Sequence, residues 1–280
     1  KHTIYPGFAE RIADFMVDTL LLSSDVVMDH REKKELTRRF ITPDLDDITE
    51  KLVLMEPYLG AARNNIFAPN KEFVEKELYS DEVLHLAVSK LKFNFMTNAQ
   101  ALLHGDLHTG SIFIKEDAIK VFDCEFGTFA PMGYDVGNII ANMIFAYVNG
   151  LAYGKEDFCK WVLETIRDIV DSFVEKFNKK YDETATEPMA KVKGFKEYYL
   201  DSILSDTAGY AGTELHRRTV GMANVVDVTT IENTEKRILA ERINILTGKD
   251  YIINHKKFRK GKDFMEAVLK AVEVAKNWRA

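Results

Sequence analysis

The stretch His104-Gly105-Asp106-Leu107-His108-Thr109-Gly110-Ser111, followed seventeen residues after Asp106 by Asp123-Cys124-Glu125, decides the reading of this chain. One carboxylate sits in a polar loop where it can meet a substrate hydroxyl. A second acidic pair follows a short strand, where it can hold magnesium on ATP phosphates. Between them, Ile112-Phe113-Ile114-Lys115 and Ile119-Lys120-Val121-Phe122 read as two strands turning at Glu116-Asp117. That hairpin brings both acidic sites to one edge.

Taken singly, each part is unremarkable: an Asp in a loop is usually a turn or cap residue, and an Asp-x-Glu is usually a solvated patch. The pair at this spacing, with Gly105 and Gly110 loosening the loop, favours catalysis. Phe122 and Phe126 flank the second motif, so its carboxylates are expected near a core edge, where burial raises a carboxylate's pKa unless a cation compensates. His104-x-Asp106-x-His108 also matches the first cluster of dinuclear metal hydrolases. Such sites need further ligands. The other histidines, His2, His30, His85, His216 and His255, have no His, Cys or Asp neighbour at ligand spacing, and Cys124 and Cys159 form no C-x-x-C. His104 is therefore expected to order the loop by hydrogen bonding, and His108 to be a loop residue without direct chemistry.

The 280 residues are 46% apolar and 29% charged, as in an ordinary soluble globular protein. A net charge of −6 argues against a nucleic-acid partner. Residues 1–30 carry acids throughout and no uninterrupted apolar core, unlike a signal peptide. Val136 to Val148 is broken by Asn138 and Asn142 and is too short to span a membrane. Two cysteines give no disulfide framework and fit a reducing cytoplasm. The chain opens at Lys1 and runs almost directly into an amphipathic helix marked by Phe8, Ile12, Met16 and Leu20, which suggests a fragment.

Downstream the pattern is helical. Val136 to Tyr147 is apolar nearly all round, and Phe158 to Phe177 is amphipathic. Helices are expected over 193–215, 217–226, Ile231 to Leu246 and Phe264 to Trp278. Tyr153, Phe158 and Trp161 read as core. Asp135 is placed to cap the helix that follows. Arg217-Arg218, at a junction between two helices, reads first as surface solvation, with a clamp on a polyhydroxylated or phosphorylated substrate as the alternative. The fold class is α+β, mostly helical, with a small hairpin at its active edge.

His-Gly-Asp-Leu-His-Thr-Gly-Ser-Ile from His104, then Asp-x-Glu-Phe from Asp123, then Gly-Tyr-Asp-Val-Gly from Gly133, resembles the 5-methylthioribose kinases, within the wider aminoglycoside phosphotransferase and choline kinase group. The wider group has Asn five residues after the catalytic Asp and an Asp-centred metal motif. Here Ser111 and Asp123-x-Glu125 stand instead, as in the methylthioribose kinases. Glu214-Leu215-His216-Arg217-Arg218-Thr219 resembles that family's Glu-Leu-x-Arg-Arg-Thr segment. The resemblance runs from the Leu20 to Asp25 region to the C-terminal helices.

The resemblance implies a protein-kinase-like C-terminal lobe that transfers phosphate from ATP to the anomeric hydroxyl of 5-methylthioribose in methionine salvage. It makes Asp106 the base or orienting group. Asp123 and Glu125 become the magnesium ligands, with Cys124 (through its backbone) and Ser111 also at the nucleotide. Arg217 and Arg218 become sugar contacts. His104 and Asp135 support the loop, Asp135 by accepting hydrogen bonds from its backbone. A cytoplasmic homodimer is implied as well. The family's N-terminal lobe carries a glycine-rich loop, yet before Gly105 this chain has only Gly7 and Gly60. Residues 1–280 are thus expected to be one lobe, with the nucleotide-covering lobe missing, binding ATP weakly alone. Alternatives are a kinase of the same group for choline, homoserine or an aminoglycoside, or a non-catalytic lobe.

Overall fold

The computed structural model describes residues 2–278. Helices α1 (Phe8–Leu20), α2 (His30–Arg39) and α3 (Pro43–Leu52), the single turns α4 (Glu56–Leu59) and α5 (Lys71–Val74), and α6 (Glu82–Thr97) precede the His104–Ser111 stretch. Strands β1 (Ala101–Leu102), β2 (Ile112–Lys115), β3 (Ala118–Val121) and β4 (Phe129–Ala130) surround it. Helices α7 (Gly133–Ala152), α8 (Glu156–Thr184), α9 (Phe195–Val220), the short α10 (Val226–Thr229), α11 (Thr234–Ile253) and α12 (Gly261–Asn277) follow.

The α1 pattern behaves as the spacing predicts: Phe8, Ile12, Met16 and Leu20 are all buried, and the helix lies along α8. Central helix α7 is buried on nearly every side, between α8 and α9, while α9 also packs on α11. Glycines set these distances. A Cβ at Gly137 would fall 2.6 Å from the Ala211 amide nitrogen, and one at Gly212 would fall 2.5 Å from the Gly248 carbonyl oxygen. The α7–α9–α11 layer can therefore form only with bare backbone at those crossings.

Strands β2 and β3 pair antiparallel, with Ile112 opposite Val121 and Lys115 opposite Ala118, around the expected Glu116-Asp117 turn. Side chains alternate across this ribbon. Ile112, Ile114, Ile119 and Val121 face the core, and Phe113 and Phe122 face out. A second pair, β1 with β4, was not signalled by the sequence: Ala101 lies opposite Ala130 and Leu102 opposite Phe129. It closes the base of the loop that carries Asp106.

Several expectations are corrected. The two helices read over 193–215 and 217–226 are one helix, α9, which ends at Val220. No Gly or Pro interrupts residues 213–220, and His216 is fully buried, bonded to the Tyr58 hydroxyl and the Ile245 carbonyl. Arg217 and Arg218 therefore stand in the last turn of a helix rather than at a junction. Asp135 is not a cap, because α7 begins two residues earlier, at Gly133. Phe158 and Trp161 are half-buried against the core, but Tyr153 is 46% exposed, its hydroxyl donating to the Thr230 carbonyl. No described helix is long and apolar enough to cross a membrane.

Candidate active site

The loop between β1 and β2 is held from below. Asp135, buried in the first turn of α7, accepts the backbone N–H of His104 at 2.7 Å on one oxygen and that of Gly105 at 3.1 Å on the other. Burial pushes its pKa up to about 6, opposed by those two hydrogen bonds. His104 Nε2 donates to the Phe122 carbonyl at 2.8 Å, and its Nδ1 faces the Asp106 N–H. His104 thus ties the loop to the segment entering Asp123. Gly105 has φ +85°, and a Cβ there would lie 1.9 Å from the Phe126 carbonyl oxygen. The loop and the Asp123 segment touch only because this residue lacks a side chain.

Asp106 emerges from this frame into a cationic grip. Arg217 Nη2 donates to Asp106 Oδ1 at 2.7 Å, and Arg218 Nη2 lies 3.4 Å from the same oxygen. Behind them, the fully buried Glu214 accepts from Arg217 Nε at 2.5 Å and from Arg218 Nε at 3.1 Å. The spacing explains the arrangement: on one helix, residues three and four apart share a face, so one Glu reaches both guanidiniums. Burial would raise the Asp106 pKa, but Arg217 and Arg218 outweigh it and hold the carboxyl below the usual range. Asp106 is therefore ionised at neutral pH. The arginine pair is not surface solvation, since the Arg217 side chain is only 12% exposed.

Asp123, Cys124 and Glu125 are all exposed, against the expectation of a core edge. Phe122 causes the difference. Instead of turning inward it stacks on Phe113, with ring centroids 4.4 Å apart and planes 18° from parallel. Asp123 adopts φ +69°, unusual for a non-glycine residue. Among the described residues, no group of three or more His, Cys, Asp and Glu could hold a metal unaided. Ser111, expected at the nucleotide, is buried. Its hydroxyl accepts from the His108 N–H and lies near the carbonyls of His108 (2.8 Å) and Asp106 (3.3 Å), so it braces the loop.

No family model matches the chain. It is 38% identical over 248 residues to a methylthioribose kinase of Bacillus cereus, an alignment covering 89% of this chain and 62% of that protein. It is 36% identical over 257 residues to a methylthioribose kinase of Pectobacterium carotovorum, covering 90% of this chain and 64% of that protein. The chain is similar to methylthioribose kinases. It spans less than two thirds of the length of these relatives.

Of the expected site residues, the structure brings Asp106, Arg217 and Arg218 into direct contact and ties His104 and Asp135 to the same loop. It joins Asp123 and Glu125 to them only through backbone, by way of Phe122 and Phe126. Two residues carry more than the sequence reading gave them. Glu214 was legible as the first residue of a Glu-x-x-Arg-Arg spacing on a helix. His108 packs beside Asp106, with Nε2 3.6 Å from Oδ2, and nothing in the pattern distinguished it from a turn residue.

Proposed function

We propose that the protein is an ATP-dependent kinase that phosphorylates the anomeric hydroxyl of 5-methylthioribose, giving 5-methylthioribose 1-phosphate in methionine salvage. One observation carries the chemistry: a mostly buried, ionised Asp106 with Oδ1 fixed by Arg217 and Oδ2 approached by His108 Nε2 only at 3.6 Å. In this reading Oδ2, through a lone pair not directed at His108, receives the hydroxyl proton while the hydroxyl oxygen bonds to the terminal phosphorus and ADP departs. Because such transfer passes through a loose transition state, positioning and charge neutralisation matter more than base strength. Arg217 and Arg218 supply both, and their remaining N–H donors suit the hydroxyls of an uncharged sugar. An aminoglycoside, carrying ammonium groups, would meet two guanidiniums here.

Magnesium fits the acidic motif. Asp123 and Glu125 are exposed oxygen donors on one loop, and a magnesium ion commonly takes one or two carboxylates with substrate phosphates completing its shell. Bound there, it would neutralise charge on the ATP phosphates. The outward Phe113–Phe122 stack lies next to that motif, and an aromatic face suits a nucleotide base. The described helical lobe would thus supply the base, the sugar contacts and the metal edge, in a protein-kinase-like C-terminal lobe. The cover over the nucleotide is assigned to sequence outside these 280 residues. Homodimerisation is carried by the resemblance alone, and a cytoplasmic location by the resemblance together with the two-cysteine composition.

The test is incubation of the protein with magnesium, ATP and 5-methylthioribose, with product followed by mass spectrometry. The expected result is a 1-phosphate that disappears in Asp106→Asn. Equal turnover of choline or homoserine would overturn the substrate assignment, and product in Asp106→Asn at wild-type rate would overturn the role of Asp106.

A further inference from the structure

We propose that His108 is a positioning residue of this centre: a neutral imidazole, held with its proton on Nε2, that pins the second oxygen of Asp106. The role rests on the kinase reading above and deepens it. Arg217 and Arg218 both approach Oδ1, so Oδ2 is the oxygen that the arginine pair does not hold. Oδ2 faces His108 Nε2 at 3.6 Å. That separation is longer than the ~2.7–3.2 Å of an N–H···O hydrogen bond. Catalytic hydrogen bonds are often long without substrate and tighten when it arrives.

The tautomer follows from the other side of the ring. Nδ1 accepts the backbone N–H of Gly110 at 2.9 Å, so it is unprotonated and the ring proton lies on Nε2. Burial acts the same way by disfavouring the imidazolium, although Asp106 opposes it. A ring with both nitrogens so committed has no acceptor for a substrate proton. His108 therefore is not the base, and the proton passes to Asp106. The charged groups around the ring are Asp106, Arg217, Arg218 and Glu214.

The loop is built around this ring. A Cβ at Gly110 would fall 2.6 Å from His108 Cε1 and 2.8 Å from Nδ1, so the imidazole occupies space that any other residue at 110 would fill. Ser111 Oγ meets both the N–H and the carbonyl of His108, fixing its backbone. Capping the turn at Thr109–Ser111 needs only an acceptor at the Nδ1 position. It does not account for an N–H presented to Asp106.

The experiment separates the two sides of the ring. In His108→Asn the short side chain can still accept the Gly110 N–H, as Asn does in caps and turns, but the distal N–H is gone. The expected result is unchanged melting temperature, KM for the sugar within about threefold, and kcat lowered roughly 10- to 100-fold, as for a displaced catalytic group. His108→Gln, which carries an N–H at greater reach but a poorer cap, should recover part of kcat while melting lower. If His108→Asn keeps wild-type kcat, or if kcat in the two variants merely tracks melting temperature, the positioning role is overturned.

Nitrogen-15 NMR of the histidine ring provides a readout independent of turnover. The neutral Nε2–H form is expected at pH 7.5, and an Nδ1–H or imidazolium signal would overturn the proposal. Should the wild-type protein phosphorylate no hydroxylated substrate while the Nε2–H signal is present, the kinase reading fails. The role of His108 in transfer fails with it, and the tautomer stands.

Discussion

Asp106 Oδ1 lies 2.7 Å from Nη2 of Arg217, a residue 111 positions further along the chain, and that ion pair, with the longer one to Arg218, joins the His104–Ser111 loop to the last turn of α9. It anchors the carboxylate and keeps it ionised. In Asp106→Asn the amide keeps the shape but not the charge or the basicity. We expect kcat to fall by several orders of magnitude, with ATP affinity nearly intact because the nucleotide contacts proposed at Asp123 and Glu125 are untouched. Steady-state kinetics with nucleotide titration checks this, and a variant within tenfold of wild type would contradict it.

Glu214 supports that pair from beneath. Its side chain is 1% exposed and satisfies an Nε–H on each arginine. Breaking one partner of a buried ion pair typically costs about 3–5 kcal/mol because a charge is left uncompensated. Arg217 and Arg218 keep Asp106 as a remaining partner, so a cost below that range is expected for Glu214→Gln, at about 2–3 kcal/mol. The two guanidiniums would also lose their fixed orientation, so KM for the sugar should rise more than KM for ATP. Chemical denaturation and a comparison of the two KM values test both halves.

Gly105 allows the His104–Ser111 loop to lie against Phe126. With φ +85° and a hypothetical Cβ 1.9 Å from a carbonyl oxygen, Gly105→Ala combines backbone strain with a clash that no side-chain rotation relieves. Strained backbone alone costs of order 1–3 kcal/mol, so the variant should lose at least about 2 kcal/mol of stability and most of its activity. A melting temperature equal to wild type would show that the contact with Phe126 is not required.

Local pattern explains what the sequence made legible. Helices α1, α7 and α8 were readable because their apolar spacing coincides with their buried faces, and the β2–β3 turn because Glu116-Asp117 separates two apolar runs. The bond from Asp135 to the loop came from the resemblance, since nothing near residue 135 shows that its partners are thirty residues earlier. The exposure of Asp123 and Glu125 was misread because Phe122 has an outward partner, Phe113, which pairs with Lys120 and so lies diagonally across the ribbon from Phe122 on the same face. His216 was treated as a break for a related reason. Its burial depends on Tyr58 and Ile245, both distant in sequence.

Asp206 offers a pH test away from the catalytic loop. It lies on α9, eleven residues before Arg217, in a groove of about 850 Å³ also lined by Asn94, Phe195, Tyr199 and His255. Burial pushes its pKa up to about 6, with a hydrogen bond from Asn94 opposing. A carboxyl whose folded pKa exceeds its unfolded value binds protons more readily when folded. Its contribution is therefore most favourable at low pH and is lost as pH rises from about 4 through about 6. Asp206→Asn removes that penalty and keeps an oxygen for the Asn94 amide. The variant should be more stable than wild type at pH 8, by about 1–3 kcal/mol at 1.36 kcal/mol per pKa unit, with the gain shrinking to about a third of that at pH 4.5. Melting curves for both proteins across pH 4.5 to 8 check the sign, and a gain confined to low pH would refute it.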